Sequence, residues 1–349
     1  MLFLSKTLYI SEFRNVYISL VCRIKEVEKM NKTMVLLCVL MVSIFMLGCE
    51  GGKGVTPGGK AFIGGTDGVH LAFQEGSPPG EVYDDNFPFE ITAVVENKGE
   101  YDVPAGGYKL QLVGIDLAEF GITSANEITS TVDLKGAYLD EDGNKILGDT
   151  NYETWESPAG YQGSLAGNHQ FIVRADICYD YGTMCQAWMC VRQDMSDTSN
   201  EVCDPSSSLS FETSSGPVQI SSFEERPAGV VDGNNRVNIQ FKVSSRGSGR
   251  VFKLGSDCPT ADRQLRRDNE DRVDLTISTS KPEDFNIDCQ QLDGGNSGTL
   301  RLYNGEQTVR CTVTILSSGA GDYVTAFNVE ARYAFKDHVE QGLLVKHVK

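Results

Sequence analysis

The sequence predicts an all-β protein built from two antiparallel β-sandwiches. Three observations carry this expectation. Apolar and polar residues alternate along much of the chain, the period of a half-buried strand. Gly-bearing turn signals punctuate the alternation at Asp142-Gly143-Asn144, Asp232-Gly233-Asn234, Asp293-Gly294-Gly295 and Asn304-Gly305. Helix-period stretches are confined to two short candidates, Asp116 to Phe120 and Thr260 to Glu270.

The strands follow in order. Phe89, Ile91, Ala93 and Val95 form the first apolar stripe, and Tyr108, Leu110 and Leu112 the next. Phe171, Val173, Ala175 and Ile177 close the first half. In the second half the stripes are Val237 to Val243, Val273 to Ile277, Phe285 to Cys289, Val309 to Ile315 and Phe327 to Phe335. Two Ser/Pro-rich stretches, Asp204 to Ser208 and Thr213 to Pro217, bracket a candidate linker at 206–215. Domains are therefore expected at 61–205 and 216–349, each large enough for an immunoglobulin-like sandwich of about 100 residues with extra loops.

Ahead of them, Met34 to Leu47 is apolar apart from one Ser, and Gly48-Cys49 ends it. A spanning helix needs about 18–20 such residues, whereas a secretory signal core needs about 7–15. Lys29 and Lys32 supply the positive start. Met46-Leu47-Gly48-Cys49 resembles the lipobox of lipoprotein signal peptides, although Met46 stands where that motif prefers Leu. The resemblance implies a signal peptide at 30–48 and lipid attachment at Cys49. Residues 49–60 then read as a Gly-rich flexible tether. Residues 1–29 are an expected extension or a misplaced start, with Met30 as the natural one. The expected location is the outer face of a cell membrane, lipid-anchored.

The full chain carries 31 Lys+Arg against 48 Asp+Glu. Removing residues 1–48 leaves 25 against 45, so the exported part is strongly acidic. Such a body repels phosphate backbones, and nucleic acid is excluded as an expected partner. The remaining cysteines beyond Cys49 are Cys178, Cys185, Cys190, Cys203, Cys258, Cys289 and Cys311. With no CxxC pair they point to disulfides rather than zinc. Seven is odd, which leaves one thiol over.

The run Cys178-Tyr179-Asp180-Tyr181-Gly182-Thr183 followed by Cys190-Val191 resembles a CYxYxT…VC signature of uncharacterised archaeal cell-surface proteins. Gly216-Pro217-Val218, Leu302-Tyr303-Asn304-Gly305, Cys311 and Tyr333-Ala334-Phe335 match the second immunoglobulin-like domain of that group. Glu96-Asn97-Lys98-Gly99 resembles the strand exit of adhesion-type sandwich modules. The resemblance implies a fold and a location, and no activity.

Cys289 and Cys311 fall in the apolar phase of their strands and are the favoured pair. A hairpin turning at Tyr181-Gly182 would set Cys178 opposite Cys185, leaving Cys190 to reach Cys203. Cys178 with Cys190 is the rival pairing, one that the resembling proteins would use. Cys258 is the candidate free thiol, or a partner for Cys203 across the linker.

No motif carries chemistry. His70, His169, His338 and His347 lack partners at metal spacing, and no GxSxG elbow, P-loop or dinucleotide fingerprint occurs. Asp140, Asp142 and Asn144 imitate the start of a calcium loop, but Lys145 stands at the required Gly and the closing Glu is missing, so a hairpin turn is the expectation. Neither a metal nor a cofactor is expected. Asn151 to Tyr161 places Tyr152, Trp155 and Tyr161 in a Pro/Gly-bearing segment. The three are candidate contacts for a protein or glycan partner, with Trp155 as cover for a sandwich edge as the plainer alternative. The expected role is a non-enzymatic envelope scaffold, adhesion or protein-binding module. The alternatives are a solute-capture lipoprotein of a transporter, which needs two α/β lobes, and a hydrolase using acidic residues, which needs a cleft with converging carboxylates.

Overall fold

A computed structural model describes residues 60–348 apart from 86, 123–125, 195–201, 206, 260 and 317–320. Cys49, the expected signal peptide at 30–48, the extension at 1–29 and the tether up to residue 59 lie outside the described residues.

The protein is all-β. In chain order the strands are β1 (Val69–Phe73), β2 (Glu81–Tyr83), β3 (Phe89–Asn97), β4 (Tyr108–Val113), β5 (Glu127–Thr129), β6 (Tyr138–Leu139), β7 (Lys145–Ile146), β8 (Thr150–Ser157) and β9 (His169–Val191). They continue with β10 (Phe211–Thr213), β11 (Val218–Val231), β12 (Asn234–Ser245), β13 (Arg250–Phe252), β14 (Arg272–Thr279), β15 (Phe285–Cys289), β16 (Ser297–Arg301), β17 (Glu306–Ile315) and β18 (Tyr323–Lys346). One short helix, α1 (Arg263–Asn269), falls inside the expected Thr260 to Glu270 segment. Asp262 caps it by accepting from the Gln264 and Leu265 amides. The other candidate, Asp116 to Phe120, closes as a turn, with the Phe120 amide on the Asp116 carbonyl.

The sequence explains β9 directly. Its odd-numbered residues from Val173 to Val191 are all buried, without a slip in phase. β18 pairs with it antiparallel from Tyr323↔Val191 to Val345↔His169. At ~3.4 Å per residue this ladder spans about 75 Å. The expected hairpin at Tyr181-Gly182 is therefore absent. Gly182 instead pairs with Arg332, and a Cβ there would meet the Tyr101 ring at 2.5 Å. Glycine serves ring packing at this point, not a turn.

β4 and β5 extend the ladder on one side, β14 and β16 on the other, with β2, β10 and β13 attached to give a nine-stranded sheet. Two smaller sheets, β1-β3-β8 and β11-β12-β17-β15, cover its odd-residue face. One apolar core runs beneath both. The turns behave as their residues require. Asp232-Gly233 joins β11 to β12 with φ of 52° and 80°, and Asn304-Gly305 turns at 55° and 80°.

Residues Thr56–Lys349 make one compact unit. β9 comes from the expected first domain and β18 from the second, so a single sheet crosses the 206–215 segment that was expected to separate them.

Candidate functional site

Midway along the ladder three tyrosines meet. Tyr179, Tyr181 and Tyr333 are all buried, and burial pushes each hydroxyl well above its ordinary range. Each ties the long sheet to the end of a covering strand. The Tyr179 hydroxyl accepts from the Val69 amide of β1. Tyr181 donates to Asn97 Oδ1 at 3.2 Å, at the end of β3, and accepts from the Tyr101 amide. Tyr333 lies 2.9 Å from Thr183 Oγ1 and accepts from the Val218 amide at the start of β11. Glu100 closes the seam from outside, accepting from the amides of Ile63, Gly64 and Ser215. The segment that follows the expected tether is thus held where the two covering sheets come together.

Two of the expected cysteine pairs form, while Cys178 and the unpaired thiol depart from the expectation. Cys289 and Cys311 are bonded and are register partners of β15 and β17. Cys190 is bonded to Cys203. Cys178 is bonded to Cys258 rather than to Cys185 or Cys190. The reason is the straight course of β9: even and odd residues face opposite sides, so Cys178 looks outward and Cys185 inward. Cys258, expected to be free, comes from the loop after β13 that lies on the outer face. Cys185 is the free thiol among the described residues. It is buried, and burial raises its pKa far beyond the reactive range.

The three aromatic candidates also separate. The segment from Thr150 to Ser157 is strand β8, not a loop. Trp155 is fully buried and Tyr161 is 4% exposed, so neither offers a contact surface. Both face the core with Phe120, whose ring centroid lies 5.0 Å from that of Tyr161. Tyr152 alone of the three is exposed, at 59%. Asp140 spends its carboxylate within the β6–β7 turn, accepting from the Asp142 and Asn144 amides and from Asn144 Nδ2. These bonds hold its pKa below the ordinary value.

Carboxyls with raised pKa are Asp180, Asp271 and Glu225, in each case mainly through burial. They do not converge. Asp180 faces outward on β9, Asp271 precedes β14, and Glu225 is buried in the middle of β11. Glu225 Oε2 accepts the Cys190 amide at 2.9 Å, replacing a backbone partner just beyond the point where β10 stops. No group of three or more His, Cys, Asp or Glu among the described residues could hold a metal ion.

Three grooves among the described residues bear on the question of a site. One of about 230 Å³ lies over the tyrosine seam between Lys98, His70 and Arg246, and Tyr179 and Phe335 form its floor. One of about 310 Å³ lies beside the Cys178–Cys258 bond. There Lys109 pairs with Asp257 and Lys336 with Asp176. Burial pushes the Asp176 pKa up, but hydrogen bonds from Arg174 and Lys336 outweigh it and the net shift is downward. The third, about 390 Å³ and the widest of these three, crosses the outer face of the four-stranded sheet. Of its lining residues only Cys311 was singled out in the sequence, as a disulfide candidate, and none of the polar ones was. The available signal was the polar phase of β12 and β17, where Asn238, Gln240, Arg310 and Thr312 alternate with buried residues.

Comparison with known proteins finds no matching family and no matching curated protein.

Proposed function

We propose that this chain is a membrane-anchored extracellular lipoprotein that acts as a non-enzymatic envelope scaffold, adhesion or protein-binding module. The observation that carries the reading is the set of three disulfides in an all-β body, which suits an oxidising compartment. The lipobox-like Met46 to Cys49 supplies the anchor in this reading. No helix among the described residues is long and apolar enough to cross a membrane. The continuous β9–β18 ladder suits a stiff spacer, because bending it would break hydrogen bonds along its length. We further propose that the two covered halves are immunoglobulin-like and that the chain groups with the archaeal surface proteins it resembles. The scattered positions of Asp180, Asp271 and Glu225 favour a binding role over acid–base hydrolysis.

The test is an intact-mass measurement of the protein purified from native membranes, together with protease shaving of whole cells. A mature N-terminus at Cys49 carrying a diacylglycerol mass, with the body cut by external protease, is the expected result. An unmodified Cys49 or a body protected inside the cell overturns the reading.

A further inference from the structure

The outer face of the four-stranded sheet is a ruled grid of polar side chains. Register places Glu224, Gln240 and Arg310 side by side across β11, β12 and β17. The next row holds Arg226, Asn238 and Thr312. A bulge between Ser221 and Glu224 lifts β11, and Gln290 rises from the turn after β15. A groove of about 390 Å³ lies on this face, lined by both rows and by Gln290. That volume lies in the range of small-molecule sites, about 300–1,000 Å³.

The lining decides what fits. It contains no aromatic side chain, and Ile239 and Cys311 are buried beneath it. Centres of protein interfaces are built from aromatic and apolar anchors, which this groove lacks. Amides donate and accept at once, which matches neighbouring hydroxyls. Several are already aligned: Thr312 Oγ1 donates to Asn238 Oδ1 at 2.9 Å, and Arg310 Nε donates to Gln240 Oε1 at 3.0 Å. The second bond fixes the Arg310 guanidinium by one nitrogen and leaves its terminal nitrogens without a protein partner among the described residues. Arg226 is paired with Glu224 at 3.2 Å.

Charge sharpens the choice. The whole chain has a net charge of −17, yet this groove has two guanidinium groups against one carboxylate. By contrast, the groove beside Cys178–Cys258 has Lys109 and Lys336 against four carboxylates, and the seam groove has a floor of buried rings. A guanidinium held by one edge presents its other edge to a planar anion, and a carboxylate is the matching group.

We propose that this groove binds an acidic oligosaccharide, with Arg310 on a uronate carboxylate and Asn238, Gln240 and Gln290 on ring hydroxyls. The proposal deepens the envelope-binding role and rests on it. The amide of Arg310 accepts no freedom to drift, since it donates to Gln291 Oε1 at 2.8 Å.

The test is calorimetric titration of the full chain in detergent with a galacturonate trisaccharide and with its fully methyl-esterified counterpart. The expected result is binding of the acid form at least tenfold tighter than the ester, and at least tenfold weakening by Arg310→Ala. Asn238→Ala should weaken both sugars. Arg310 is exposed, so its variant keeps the melting temperature of the parent, and a circular-dichroism melt checks this. No heat with either sugar, equal affinity for acid and ester, or an unchanged affinity in Arg310→Ala each overturns the proposal. The titration does not depend on where the chain is anchored, so its outcome is separable from the Cys49 mass.

Discussion

Over residues 173–179 of β9 the covering sheet is β1-β3-β8, and the core beneath it is aromatic. Trp155 is fully buried there, and Phe120 sits 4.9 Å from Phe171 and 5.0 Å from Tyr161 between ring centroids. Over residues 183–191 the cover is β11-β12-β17-β15. It packs Phe223 and Phe241 on Phe327, and the Cys289–Cys311 bond joins the edge strand β15 to its neighbour β17. The first half has its staple on the other side of the sheet, where Cys178 ties the loop bearing Cys258 to the outer face. One continuous strand pair thus supports two lobes that are closed by different means. Large rings close the first from within, and a covalent bond joins strands of the second.

The largest effect should come from the outer staple. Its sequence separation is 80, against 22 for Cys289–Cys311. In the chain-entropy account, replacing Cys178 and Cys258 together by Ala costs about 4–5 kcal/mol, and replacing Cys289 and Cys311 about 3 kcal/mol. Urea denaturation under non-reducing conditions measures both. Equal losses, or a larger loss for the second pair, would mean that local strand pairing rather than loop closure sets the value of each bond.

Trp155→Ala comes next. Emptying a fully buried indole site costs about 3–5 kcal/mol. The indole N–H has no hydrogen-bond partner among the described residues, so Trp155→Phe removes an orphaned donor along with some volume. The Phe variant should lose less than half of what the Ala variant loses, read by thermal melts. If both lose equally, the ring volume is not what closes the first lobe.

Strand phase was legible in the sequence, and so was the pairing of Cys289 with Cys311, because both rest on period-two alternation. The course of β9 was not. A Tyr-Gly pair between cysteines reads locally as a turn, and only the Tyr101 ring, far away in sequence, shows why Gly182 stands in a straight strand. The Cys178–Cys258 bond was hidden for the same reason, since it joins residues that no local pattern connects. Tyr152, Trp155 and Tyr161 looked alike in sequence, but strand phase turns Trp155 inward and leaves Tyr152 outside. The polar grid on β12 and β17 was visible only as the absence of apolar residues, and register was needed to show which side chains meet.

Glu225 offers a pH contrast confined to the second lobe. Burial pushes its pKa from 4.5 up to about 8, against a hydrogen bond from the Cys190 amide that lowers it. Between those values the native protein holds a proton that the unfolded chain has released. Stability from this group is therefore full below pH 4.5 and is lost as pH rises toward 8, by at most ~1.4 kcal/mol per pH unit. Glu225→Gln keeps an acceptor for the Cys190 amide and removes the titration. Its stability should exceed that of the parent at pH 8 and match it near pH 5, by urea denaturation across pH. A parallel pH profile in both proteins would show that Glu225 is not the source of the slope.

The smallest effect belongs to the outward face of the first lobe. Tyr152 lies opposite Val94 on β3, exposed, with Thr154 following two residues on against Thr92. Its side chain is mostly exposed, so Tyr152→Ala should change stability by less than about 0.5 kcal/mol. Because Trp155 and Tyr161 are buried, a partner that uses this β8 surface meets Thr150, Tyr152, Thr154 and Glu156. The variant therefore divides the two outward faces. If Tyr152→Ala leaves binding of the acidic trisaccharide unchanged while Arg310→Ala weakens it, recognition belongs to the four-stranded face alone. Equal weakening by both would mean that recognition is not confined to the four-stranded face, and the assignment of the ligand to that groove would fail.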